Sequence, residues 1–163
     1  DAQESRGLGD VYKRQEYYRA KLHKAKRHYA HYKTDYLDKE YTYCTFDLHQ
    51  TVEHLIKAIP LVFILYGHKE HELDTLIEKC KAYTLELVKV FPLDTEEEKH
   101  HFELLERSYI EARYNDKFVV PKEVVDALVP KVDLLFNIVE DVCRKQFDYY
   151  KQQSKKQLPK ERG

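Results

Sequence analysis

Polar side chains at regular spacing on one short segment could assemble a binding site. His49, Glu53 and Lys57 follow one another at intervals of four residues, and Gln50 lies beside the first of them. Residues four apart share one face of a helix, so these three form a polar stripe beside the apolar positions of the same helix. Glu53 and Lys57 could equally be a surface ion pair, worth only about 0.2–0.5 kcal/mol.

Other polar groups occur at the ends of neighbouring helical segments. His71 precedes one such segment, and Arg113 and Tyr114 close another. If the helices pack together, these groups can converge with the polar stripe of His49, Glu53 and Lys57. The combination of imidazole, carboxylate, guanidinium and phenol favours binding of a polar ligand.

Metal and nucleophile chemistry are not indicated by the sequence. His68 and His71 flank a loop without cysteine or carboxylate at ligand spacing, and His100 and His101 lie in a charged helix start. The sequence also has no Gly-x-Ser-x-Gly elbow and no glycine-rich phosphate loop. We therefore expect neither a resident metal nor a cofactor.

The composition predicts an all-α fold. Gly67 is the only glycine between Asp10 and Arg162, and 35% of the residues are charged. Sheets need turns that usually contain glycine, so a nearly glycine-free chain favours long helices. With short loops between them, such helices form an up-and-down bundle of about five members, a four-helix core plus one additional helix.

Apolar periodicity places the five helices along the chain. The first is expected over residues 16–38, with tyrosines packed at the bundle, and the second over residues 40–66, with a buried seam at Leu48, Val52, Leu55 and Ile59. The third runs from Leu73 until Pro92 stops it. The fourth follows a capping box at Thr95 and ends near Tyr114, and Pro121 opens the fifth. Pro60 and Pro130 should bend the second and fifth helices.

Three segments differ in composition. Residues 1–15 resemble translated adapter sequence, so they are expected to be artefactual or disordered, with the true N-terminal region missing. Residues 16–150 are expected to form one domain, and residues 151–163 a disordered basic tail. The formal net charge of −1 means that any binding to nucleic acid must be local.

The sequence favours a reducing compartment and does not favour a membrane span. The cysteines Cys44, Cys80 and Cys143 are odd in number and occupy apolar helical positions, which suits a reducing cytoplasm. No apolar run reaches the roughly 18–20 residues that span a bilayer. We expect a cytoplasmic protein that does not contact membranes.

Three segments of the chain resemble motifs of the HEPN family, the higher eukaryote and prokaryote nucleotide-binding domains. Residues 48–58 resemble its His-Gln, Glu and Lys motif, residues 71–76 its His-acidic-Leu motif, and residues 112–115 its Arg-Tyr motif. Their order and spacing agree over about residues 17–147. The resemblance is greatest to bacterial members associated with minimal nucleotidyltransferases, and it implies a dimer with a nucleotidyltransferase partner.

The resemblance also implies a ligand-binding set, in which Arg113 contacts phosphate, Lys57 adds a charge, and His49 and Glu53 orient polar ligand edges. The whole set is His49, Gln50, Glu53, Lys57, His71, Arg113, Tyr114 and Asn115. Ribonucleases of the family carry a histidine a few positions after the arginine. Residues 114–120 contain none.

Three functions follow as expectations. The leading one is a non-catalytic nucleotide- or RNA-binding domain that works with a nucleotidyltransferase in a toxin–antitoxin or defence setting. The second is a dimeric interaction module without a ligand, in which Arg113 pairs with Glu53 or another carboxylate. The third is a metal-independent ribonuclease toxin.

Overall fold

Five α-helices and one short 3-10 helix follow one another in a computed structural model, which describes residues 2–156. Within this range there is no strand, so the predicted all-α bundle is confirmed. The elements are α1 (Ala2–Leu37), α2 (Tyr41–Ile64), α3 (Leu73–Cys80), the 3-10 helix (Glu86–Lys89), α4 (Glu96–Tyr114) and α5 (Lys122–Lys156).

Helix α2 is the centre of the bundle, because α1, α3, α4 and α5 all pack against it. The predicted apolar seam is buried: Leu48, Val52 and Ile59 have no exposed surface, and Leu55 is 1% exposed. Full burial of such a side chain stabilises the fold by roughly 1.5–3 kcal/mol. Helix α2 continues through Pro60 and ends at Ile64. Its polar stripe is therefore held at the middle of the core.

Helix α1 begins at Ala2 rather than at the predicted Glu16. Val11 is 5% exposed, and the guanidinium of Arg14 lies 4.5 Å from the ring centre of Tyr150 on α5. Arg14 and Val11 lie one and two turns before Tyr18 on the packed face of α1. The helix therefore extends through the segment that was expected to be disordered. Helix α5 likewise continues to Lys156, and residues 157–163 of the predicted tail lie outside the described residues.

The third helix is shorter than predicted. It ends at Cys80, where the amides of Tyr83 and Thr84 both donate to the Cys80 carbonyl oxygen. The Thr84 hydroxyl then accepts from the amide of Glu86 at 3.1 Å, a local bond that competes with helix formation. Leu87, Val90 and Phe91 are still buried, although they lie in and just after the 3-10 helix rather than in α3.

Side-chain contacts fix the remaining helices. Thr95 forms the predicted capping box with Glu98, each side chain accepting from the other residue's amide at 3.1 Å. Tyr29 donates to Asp133 at 2.6 Å and ties α1 to α5, as expected for tyrosines at the bundle edge. No helix among residues 2–156 is both long and apolar enough to cross a membrane.

Candidate functional site

The polar stripe of α2 is buried inside the protein. His49 has no exposed surface, and Glu53 and Lys57 are 3% and 5% exposed. Lys57 Nζ donates to Glu53 Oε2 at 3.1 Å. The surface ion pair considered from the sequence is therefore wrong, and Lys57, expected to add charge to a ligand, is instead the buried partner of Glu53.

Glu53 has a second partner from another segment. Its Oε1 lies 2.9 Å from Nδ1 of His71, which precedes α3 and has a side chain that is 47% exposed. Burial acts to raise the pKa of Glu53, but the hydrogen bond with His71 and the charge and hydrogen bond of Lys57 together lower it below its usual value. Glu53 is thus an ionised buried carboxylate that holds an imidazole at the surface.

Tyr109 of α4 joins the predicted residues into one group. Its ring is stacked with His71 at 4.4 Å and with His49 at 5.1 Å between ring centres. The Arg113 guanidinium lies 4.7 Å from the centre of the same ring. We call His49, His71, Tyr109 and Arg113 the Tyr109 cluster.

Arg113 is exposed but held in place. Its Nε donates to the Tyr109 carbonyl oxygen at 2.8 Å, and Nη2 donates to the same oxygen. The guanidinium also lies over the rings of Phe46 and Tyr114, at 5.0 and 5.1 Å. Arginine has five N–H donors, so three of them stay available to a ligand. Arg113 makes no ion pair with the described residues, so the predicted pairing with Glu53 is wrong.

A cleft of about 320 Å³ opens beside the Tyr109 cluster, lined by residues that precede α3 and by residues of α4: His71, Glu72, Glu106, Arg107, Tyr109, Ile110 and Glu111. Glu106 accepts from the Leu73 amide at 2.7 Å and from the Asp74 amide at 3.4 Å, and so caps the start of α3. Burial raises the pKa of Glu106 to about 7, although these amide bonds act in the opposite direction. At neutral pH this carboxyl group can accept or donate a hydrogen bond.

His49 has unused hydrogen-bonding capacity next to Glu106. Burial lowers the pKa of His49 to about 4, so the ring is neutral at pH 7. Its Nδ1 lies 3.2 Å from Gln50 Nε2. Its Nε2 makes no hydrogen bond within the described part of the chain, and Glu106 Oε1 is 3.8 Å away. A buried polar atom without a partner is costly, which makes this edge of the ring a candidate position for a ligand or water.

The other predicted residues take different places. Tyr114 is 76% exposed beside Arg113. Asn115 makes its hydrogen bonds locally, accepting from the Lys117 amide at 3.1 Å. Tyr109 and Glu106 were missed by the sequence reasoning, although they precede Arg113 by four and seven residues and so share its face of α4.

The structure offers no ready metal site within residues 2–156, because no three His, Cys, Asp or Glu side chains are grouped suitably to hold an ion. The chemistry available at and beside the cleft is that of an exposed arginine stacked on the lining residue Tyr109, an imidazole bonded to a buried carboxylate, and a carboxyl group with a pKa near neutrality.

Comparison with known proteins identifies the fold. A family model described as HEPN domain matches residues 18–142. No curated protein matches the chain. The matched range contains all members of the Tyr109 cluster and most of the bundle. HEPN domains are helical domains of nucleotide- or RNA-binding type and are often dimeric. The chain belongs to the HEPN domain family.

Proposed function

We propose that this HEPN domain binds a nucleotide or an RNA end at the cleft beside Tyr109 without cleaving it, and that it acts with a nucleotidyltransferase partner. The observation that carries the proposal is the exposed Arg113, fixed on the ring of Tyr109, a residue that also lines the cleft. A guanidinium held in place loses little freedom when it binds phosphate, because its fork is already oriented.

The groups at the cleft suit the two ends of a nucleotide. Arg113 offers three free donors to phosphate oxygens. Glu106 can accept from or donate to a base edge, and the exposed ring of Tyr114 offers a surface on which a base can stack. Glu111, another carboxylate of the cleft, is paired with Arg107 at 2.6 Å, which reduces its repulsion of an anion.

The same end of α4 supports a dimer. Ile110, Tyr114 and Val119 are 59%, 76% and 71% exposed, which is unusual for apolar side chains so close in sequence. A second copy that covers Ile110 and Val119 would enclose the cleft. The nucleotidyltransferase partner, a bacterial toxin–antitoxin or defence setting and a cytoplasmic location follow from the motif resemblance and belong to this proposal.

Arg113→Ala is expected to weaken ATP binding at least tenfold, because the variant removes the phosphate-binding donors without touching the core. Isothermal titration calorimetry with ATP measures this. Arg113→Lys keeps the charge but loses the fork and the stacking, so it should restore binding only partly. Arg144→Ala, which removes an exposed arginine of α5, is the matched control and should bind like the wild type. Absence of heat with the wild-type protein would contradict the proposal.

A second candidate function, ribonuclease activity, is favoured by the Glu53–His71 pair beside Arg113. A carboxylate bonded to Nδ1 orients an imidazole and leaves its other nitrogen free for proton transfer. His71 could take the proton of a ribose 2′-hydroxyl, the oxygen would attack phosphorus, and the proton would pass to the departing 5′-oxygen. In this hypothesis His71 takes the role of the histidine that residues 114–120 lack.

If this second function holds, the wild-type protein cleaves single-stranded RNA in EDTA and leaves 2′,3′-cyclic phosphate ends, and His71→Ala lowers the rate at least 100-fold. Gel electrophoresis with end analysis measures the products. His68→Ala is the matched control in the same loop. Intact RNA after prolonged incubation with wild-type protein supports the binding function instead.

A further inference from the structure

Helix α1 carries a concentration of positive charge that has no part in the proposed site at the cleft beside Tyr109, here called the Tyr109 cleft. Between Arg19 and Lys33 there are six lysines and arginines and three histidines, and no aspartate or glutamate. The chain as a whole has a net charge of −1, so positive charge is concentrated in this segment and the remainder of the chain is net negative. Lysines and arginines clustered along a helix provide the electrostatic footprint that binding of a polyanion requires.

Part of this charge forms one continuous face next to α2. The face consists of Lys21, Lys24, Arg27, His28 and His31 of α1 together with His54 of α2, and we call it the basic strip. The rings of His28 and His54 are stacked at 5.3 Å with an angle of 5° between their planes, and His31 lies 6.0 Å from His28. Cations recur along the strip about once per helical turn of about 5.4 Å.

The strip has few counter-charges of its own. Lys21, Lys24 and Arg27 form no ion pair within the described residues. Burial and the neighbouring charges of Lys24 and Lys57 lower the pKa of Lys21, while Glu53 acts in the opposite direction. His54 Nδ1 is buried and makes no hydrogen bond in the described part of the chain. Burial lowers the pKa of His28, and it lowers that of His54 to about 4, so at pH 7 the charge of the strip comes from Lys21, Lys24 and Arg27. These crowded cations would gain from a bound anion, and the unused ring nitrogen of the neutral His54 could donate a hydrogen bond to it.

We propose that the basic strip docks the phosphate backbone of single-stranded RNA, on a surface separate from the Tyr109 cleft. The inference rests on the proposed function in taking the ligand of this domain to include RNA. The regular spacing of cations suits a strand with one charge per nucleotide. A membrane surface fits less well, because no large apolar side chain of residues 18–36 is exposed, and the exposed ones of α1, Leu8, Tyr12, Tyr17 and Leu37, lie outside the strip. Membrane-bound amphipathic helices need exposed apolar residues along the bound face.

Two charge-reversal variants of equal net charge test the proposal. Lys24→Glu/Arg27→Glu changes exposed residues of the strip, and Lys26→Glu/Lys33→Glu changes exposed residues on the opposite side of α1. Fluorescence anisotropy with a labelled 12-nucleotide RNA measures the Kd at 50 and 200 mM salt. The strip variant should bind at least tenfold more weakly and show a shallower salt dependence, since each phosphate contact contributes a slope of about 0.7. The control variant should stay within threefold of the wild type.

The outcomes separate this proposal from that for the cleft. Loss of RNA binding in the strip variant, with ATP binding unchanged, supports the strip whatever Arg113→Ala does to ATP. Equal weakening by both charge-reversal variants indicates non-specific attraction and overturns the proposal. Wild-type protein that does not bind the RNA, or that binds an acidic peptide of equal charge more tightly, also overturns it. Thermal melts serve as the folding control: both variants should have a Tm close to that of the wild type.

Discussion

Glu53→Ala is expected to lower the free energy of unfolding by about 3–5 kcal/mol, because it leaves Lys57 charged, buried and without its partner. The side chains of Glu53 and Lys57 are 3% and 6% exposed, so water can replace the lost contact only poorly. For a chain of this size the loss corresponds to a fall in Tm of roughly 6–20 °C. Thermal denaturation followed by circular dichroism measures it.

Two comparisons isolate the buried charge. Glu53→Gln/Lys57→Met replaces the pair with neutral side chains of similar size and should recover most of the stability, because no unpaired charge remains. Glu86→Ala breaks the exposed pair with Lys89 and should cost less than about 1 kcal/mol. A Tm for Glu53→Ala within 2 °C of the wild type would show that Lys57 reaches water, contrary to the structure.

Acidification below pH 6.5 is expected to destabilise the protein through His49. The pKa of this buried ring is about 4 in the folded protein and about 6.5 in an unfolded chain. Between these values the unfolded state binds a proton that the folded state does not, so stability falls as the pH falls. The full difference corresponds to about 3 kcal/mol. Glu53, Lys57, His71 and Glu106 are the charged or titratable groups that face the ring.

Glu106 has the opposite effect on the pH dependence. Its pKa, raised to about 7, means that the folded state keeps a proton which the unfolded state loses above about pH 4.5. The contribution of His49 must therefore be measured as a difference between the wild type and His49→Gln, from urea denaturation at several pH values. The difference should change by about 3 kcal/mol between pH 7 and pH 4. An NMR titration of the His49 ring with a midpoint near 6.5 would contradict the prediction.

The sequence predicted those parts of the structure that depend on local patterns. The apolar seam of Leu48 and Val52, the capping box at Thr95 and the tyrosines of α1 follow from spacing and from short-range hydrogen bonds. The early end of α3 was missed because the positions of Leu87 and Phe91 suit a helix equally well, and the Thr84 bond that diverts the chain is a single local competitor.

The candidate site was predicted only in part, for a different reason. Periodicity placed His49 and Glu53 on one face, but it could not tell which side of α2 is covered by neighbouring helices. It therefore left open whether Lys57 met water, a ligand or a second chain. The role of Tyr109 was not predicted, since nothing in its local sequence shows that side chains from three segments meet on its ring.

Glu106 gives the cleft a link to local folding. The same carboxyl group lines the cleft and holds the first amides of α3, a helix of eight residues that has no side-chain cap of its own. A ligand that engages Glu106 must share or replace those bonds, so occupancy of the cleft and opening of the first turn of α3 are thermodynamically coupled. By the same reciprocity, a partner protein that stabilises α3 alters the affinity of the cleft without touching the ligand.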